Sequence, residues 1–72
     1  QERATLDEIL ASIPEERRAV FVLFELEELT VTEIAELLGL PFGTVATRLR
    51  RARQEFQAAV ARLQARGQGG KP

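Results

Sequence analysis

The sequence holds no cysteine and no histidine among its 72 residues. Without cysteine there is neither a disulfide staple nor a thiolate metal site, and without histidine the commonest general base and metal ligand is missing. Zinc fingers and catalytic triads are thereby excluded. Asp7 is the only aspartate, and no arrangement of nucleophile and base is visible. The expectation is a protein with no catalysis of its own and no metal or cofactor. Methionine is absent too, and a chain that begins at Gln1 without one is expected to be a piece of a longer protein. Long apolar runs are also missing. The longest, Ala19 to Phe24, is far too short to cross a bilayer, and the N-terminus lacks the charged-then-apolar layout of a signal peptide. A cytoplasmic location is expected, with no membrane partner and no small-molecule substrate. A chain this short makes one small domain, which buries only about 60% of its unfolded surface.

The net charge of −1 conceals a division. Residues 1–40 set Arg3, Arg17 and Arg18 against ten acids, a net of −7, whereas residues 41–72 set seven bases against the single acid Glu55, a net of +6. Such asymmetry puts a positive field on one part of the molecule and leaves the rest repulsive to phosphate, which favours one docking orientation on nucleic acid. An arginine-rich helix paired with its own acidic helices would have the same composition.

Four helices are expected, in an all-α domain with a long C-terminal helix. Thr5 and Glu8 have capping-box spacing, which predicts a first helix over 6–12. Pro14 suits the first position of a second helix, with Glu15 and Glu16 complementing its dipole, and this helix is expected to run to Glu27. A second capping box, Thr30 with Glu33, opens a third helix over 31–38, and Gly39 closes it, since glycine enters the left-handed conformation without penalty. Pro41 suits another first turn, and no breaker follows Gly43 until Gly67, so the last helix is expected over 42–66. Residues 1–5 are then the end of an upstream linker, 6–66 the domain, and 67–72 a flexible tail. Short helix, glycine turn and second helix are the order of a helix-turn-helix, and four arginines fall between Arg48 and Arg53, just after the turn.

On the last helix Val45, Leu49, Ala52, Phe56, Val60 and Leu63 recur at steps of four or three, an apolar stripe that belongs to the core. At about 100° per residue, Thr47, Arg50 and Gln54 point away from that stripe, with Arg51 beside them and Ala46 at the margin, where side chains reach base edges. Arg48 and Arg53 lie on the flanks, where long cationic side chains meet phosphates or the domain's own acids.

The segment Leu29 to Arg53, with EIAELLG, the Pro41 turn, GTV at Gly43 to Val45 and TRLRRAR at Thr47 to Arg53, resembles region 4 of bacterial RNA polymerase sigma factors of the sigma-70 family. Within it, the extracytoplasmic-function (ECF) subgroup is the most similar. The preceding IPEERRAVFVLFELEEL is similar to the family's first half, so the resemblance covers about residues 6–63. It implies a compact helical domain, the C-terminal domain of a sigma factor, whose last helix enters the major groove at the −35 promoter element and directs RNA polymerase to initiate transcription. It also implies base contacts from Ala46, Thr47, Arg50 and Arg51, and phosphate contacts that include Thr32, Gly43 and Thr44. Arginine binds guanine O6 and N7 bidentately, threonine hydrogen-bonds a base or touches a thymine methyl, and a helix N-terminus attracts phosphate. Two positions depart from the family: Ala46, where many members carry Lys or Arg and alanine offers only a methyl, and Glu28, where the family often has glycine. A left-handed backbone at Glu28 would carry strain of about 1 kcal/mol.

Val20, Phe21, Val22, Leu23, Phe24 and Leu26 cover most of the circumference of the second helix, more apolar surface than one face hides. Phe21, Val22 and Leu26 are therefore candidates for a partner surface, unless the other helices enclose them. The resemblance implies the partners: promoter DNA in duplex form, the β flap of the RNA polymerase core, and an anti-sigma factor. Two other functions fit the same residues: a stand-alone helix-turn-helix regulator, and a sigma-like interaction module with little DNA affinity.

Overall fold

A computed structural model describes residues 2–69, with side chains from Thr5 to Arg66. It contains α1 (Glu2–Ala11), α2 (Glu15–Glu25), α3 (Val31–Leu38) and α4 (Phe42–Gly69), and no strand among the described residues. None of these helices is long and apolar enough to cross a membrane.

The first helix starts earlier than its apparent cap. Thr5 lies inside α1, so it cannot cap that helix, and Glu8 instead reaches Arg66 at 3.5 Å. The helix-forming residues Glu2, Arg3 and Ala4 extend α1 into the stretch expected to be linker. At its other end the Ser12 hydroxyl donates to the Ile9 carbonyl at 2.6 Å.

Pro14 stands just outside α2, at φ −53° and ψ 145°, and its carbonyl accepts the Arg17 and Arg18 amides. The Arg18 guanidinium donates twice to the Ile13 carbonyl at 3.1 Å, tying α2 back to the turn. The helix ends at Glu25, two residues short of expectation, because the chain unwinds gradually. Val22 O accepts both the Leu26 and the Glu27 amides, Leu23 O accepts the Leu29 amide, and Glu28 sits at φ 61°. Left-handed backbone here thus belongs to a glutamate.

Both signals at α3 act as their chemistry requires. Thr30 Oγ1 accepts the Glu33 amide at 3.1 Å, while Glu33 Oε1 accepts the Thr30 amide at 2.8 Å. Gly39, at φ 67°, turns the chain so that the Leu40 amide reaches the Ala35 carbonyl at 3.0 Å. Pro41 O accepts the Val45 amide at 3.2 Å, and α4 runs on from Phe42 past Arg66 into the expected tail, of which residues 70–72 lie outside the described residues.

Ile13, Val20, Ile34, Val45 and Ala52 are fully enclosed, and Phe21 and Leu49 nearly so. Thus one residue of the α1–α2 turn, two of α2, one of α3 and three of α4 make a single core. Phe56 is only half-buried at its margin, its ring 5.0 Å from that of Phe21 and 27° from parallel. Further along α4, Ala59 rather than Val60 is the buried residue, and Ile9 of α1 is the other residue buried outside the central cluster. A small residue there lets the two helices approach.

Candidate nucleic-acid interface

The capping box fixes where α3 begins and the left-handed Gly39 fixes where it stops, so the short turn through Pro41 sets the direction of α4. Burial of Val45, Leu49 and Ala52 then fixes its rotation. Arg50, Arg51 and Gln54 are exposed on the opposite side, and Ala46 and Thr47 are half-buried at its edges. Among the described residues, no side-chain hydrogen bond or ion pair engages Arg48, Arg50 or Arg51. Gly43, Thr44, Thr47, Arg48 and Arg51 line one open depression together with Pro41 and with Glu16 and Arg17 of α2. Thr32 is exposed in the first turn of α3.

Arg53, expected on a flank of the helix, is paired with one of the domain's own acids. Its Nε and Nη2 donate to Glu25 Oε2 at 3.1 and 3.0 Å, and its guanidinium carbon lies 5.0 Å from the centre of the Phe24 ring. Carboxylate and aromatic face together hold this cation against α2, so it is occupied within the domain.

Arg17 forms a two-pronged pair with Glu55, with Nε to Oε1 at 2.9 Å and Nη2 to Oε2 closing the second prong. The hydrogen bonds from Arg17 hold the Glu55 carboxyl below its ordinary range; burial opposes this, and the charges of Arg17 and Arg51 add to it. The hydrogen bond to Glu55 likewise raises Arg17. Sequence reasoning gave Arg17 no role, because its partner lies 38 residues away; the one available signal was that Glu55 is the lone acid of the basic half.

Of the three residues expected at a partner surface, Phe21 is the least accessible. It is 7% exposed and stacked on Phe56, because the side of α2 that carries it faces α4. Val22 is half-buried, while Leu26 is 57% exposed. Leu26 lines an apolar groove between α1, α2 and α4 with Leu6, Leu10, Phe21 and Phe56, rimmed by Glu25, Arg53 and Gln57. Leu6 belongs to this surface, which its place in the sequence did not announce.

Comparison with known proteins agrees with this architecture. Residues 3–56 match the family described as sigma-70, region 4. The chain is 41% identical over 59 residues to the ECF RNA polymerase sigma factor SigE of Mycolicibacterium smegmatis, covering 82% of this chain and 23% of that protein. It is 40% identical over 53 residues to the ECF RNA polymerase sigma factor SigW of Bacillus subtilis, covering 74% and 28%. Against the ECF RNA polymerase sigma-E factor of Haemophilus influenzae the identity is 37% over 59 residues, covering 82% and 31%. The chain thus spans about a quarter to a third of the length of these relatives. No solved structure matches it.

Proposed function

We propose that this chain, which belongs to the sigma-70 region 4 family, is the promoter-recognition domain of an ECF-type sigma factor and lays α4 in the major groove of the −35 element. The observation that carries the reading is the division among its arginines. Arg17, Arg53 and Arg66 are each tied to an acid, whereas Arg50 and Arg51, on the outward face, are exposed and unpaired among the described residues. A guanidinium kept free at that position is suited to a bidentate contact with guanine O6 and N7. Thr47 and the Ala46 methyl supply smaller contacts, and Gln54 extends the reading face. Thr32, Gly43, Thr44 and Arg48 meet the phosphates, the two residues at the start of α4 with the help of the helix dipole.

The apolar groove around Leu26 and Leu6 supports a protein contact on the side of the domain that does not read DNA, with the β flap of RNA polymerase as the occupant and an anti-sigma factor as its competitor. Selection of bound sequences from a random duplex pool, with the domain alone and within holoenzyme, tests the DNA reading. One enriched motif is expected. Arg50→Ala or Arg51→Ala should each weaken binding to it by roughly 1–3 kcal/mol and relax preference at one or two base pairs. No enrichment in either form, or mutants that bind as wild type does, overturns the reading.

A further inference from the structure

The α4 helix carries one acid on its first seven turns, Glu55, four residues beyond Arg51. Residues four apart on a helix are neighbours, so an unoccupied Glu55 carboxylate has Arg51 as its nearest cation on the same helix. The charge of Arg51 is felt at Glu55, yet no ion pair joins the two. Both Glu55 oxygens are instead taken by Arg17, which reaches across from α2 with its side chain only 20% exposed, against 32% for Glu55. Arg17 also lines the same depression as Arg51, Arg48 and Thr44, so the clamp lies at the edge of the DNA-facing surface.

We propose that Arg17 is a positioning residue for DNA binding: by holding both oxygens of Glu55 it keeps that carboxylate from capturing Arg51. This inference rests on the reading of α4 as the DNA-contacting helix. A second effect follows from the same pair. With Arg17 in place the lone negative charge on the basic helix is matched, and without it a bare carboxylate would stand beside the phosphates and repel them. The two-pronged geometry matters because a planar fork satisfies both oxygens at once, which a lysine could not.

A four-protein cycle of wild type, Arg17→Ala, Glu55→Gln and the double variant tests the clamp, using the full chain. The DNA probe is a fluorescent duplex carrying the motif that wild type enriches from a random pool. Arg17→Ala should weaken binding by roughly threefold to tenfold, and adding Glu55→Gln should restore it to within about twofold of wild type. Thermal stability should not return with it, since the α2–α4 bridge stays broken in the double variant. Affinity that recovers without stability separates positioning from mere support of the fold. If the double variant binds as weakly as Arg17→Ala, Arg17 contacts DNA itself and the clamp is overturned.

Relaxation of the Arg51 Nε–H group by nuclear magnetic resonance reads the clamp without DNA. The group should be mobile in wild type, ordered in Arg17→Ala and mobile again in the double variant. Unchanged mobility across the cycle overturns the proposal even if DNA binding is confirmed. The expected pattern upholds the clamp on Arg51 even if no duplex is bound, in which case the promoter reading alone fails.

Discussion

Glu28 holds a left-handed φ of 61°, and its side chain makes no hydrogen bond or ion pair among the described residues to offset the strain of its Cβ. Glu28→Gly should therefore stabilise the domain by about 0.5–1 kcal/mol, the relief being reduced by glycine's greater freedom when unfolded. Thermal unfolding should show a midpoint a few degrees higher, and a lowered midpoint would mean that the glutamate side chain contributes more than its backbone costs. Glu55 has the opposite character, a residue whose partner stabilises its charged form. Its carboxyl titrates below the ordinary 4.5 because Arg17 donates to it. A depressed folded-state value means that the pair's contribution is fully present above the ordinary value and is lost as pH falls through the lower one. Melting midpoints of wild type and Glu55→Gln should differ near neutrality and converge as pH falls below the ordinary carboxylate range and through the lowered folded-state value. A gap that stays constant through the acid range would show that the pair contributes nothing to folding through charge.

Among the elements, α2 and α4 form the principal packing pair, and their aromatic contact is uneven: Phe21 is 7% exposed, whereas Phe56 is half-buried. Phe21→Ala should cost about 3–5 kcal/mol and unfold most of so small a domain. Phe56→Ala should cost about 2–3 kcal/mol, because water already reaches one side of the ring. Chemical denaturation of the two variants checks the order, and equal costs would mean that the rings act only as a stacked unit. The boundaries of α3 and the start of α4 were legible from the sequence because their signals are local: a hydroxyl and a carboxylate three residues apart, a glycine, a proline. The Thr5 and Glu8 pair has the same spacing but sits within a run that already favours helix, so the pattern pointed to a boundary that is not there. The early end of α2 was hidden for the converse reason, since Glu28 does a glycine's work. The outward face of α4 followed from periodicity, but Arg53 turning to Glu25 and Phe24, and Arg17 to Glu55, depend on how helices pack, which a linear pattern does not encode.

For the whole molecule the charge division sets where a phosphate backbone would meet the least repulsion. On the proposed reading, the acidic residues of α1 to α3 would confine phosphate contacts to the neighbourhood of α4, where Arg53 is already paired with Glu25. Neutralisation of about 3–5 phosphates is expected, so log K should fall with log salt at a slope of roughly −3 to −5. A much steeper slope in a salt titration would mean that the contact zone extends beyond α4. Leu26, 57% exposed beside Leu6, belongs to a different side. Leu26→Asn should leave folding and DNA binding intact while reducing promoter-dependent transcription strongly, as loss of an apolar anchor worth about 2 kcal/mol would. Transcription at the wild-type level from the folded variant would remove that surface from the polymerase contact. The α4 helix is finally a single rod with two distinct faces, Val45, Leu49 and Ala52 turned inward and Arg50, Arg51 and Gln54 turned out. Exposed positions of the second kind change stability by only about 0.5 kcal/mol when substituted. If α4 reads promoter DNA as proposed, substitution of an outward side chain would alter the preferred sequence while leaving the packing of Val45, Leu49 and Ala52 untouched.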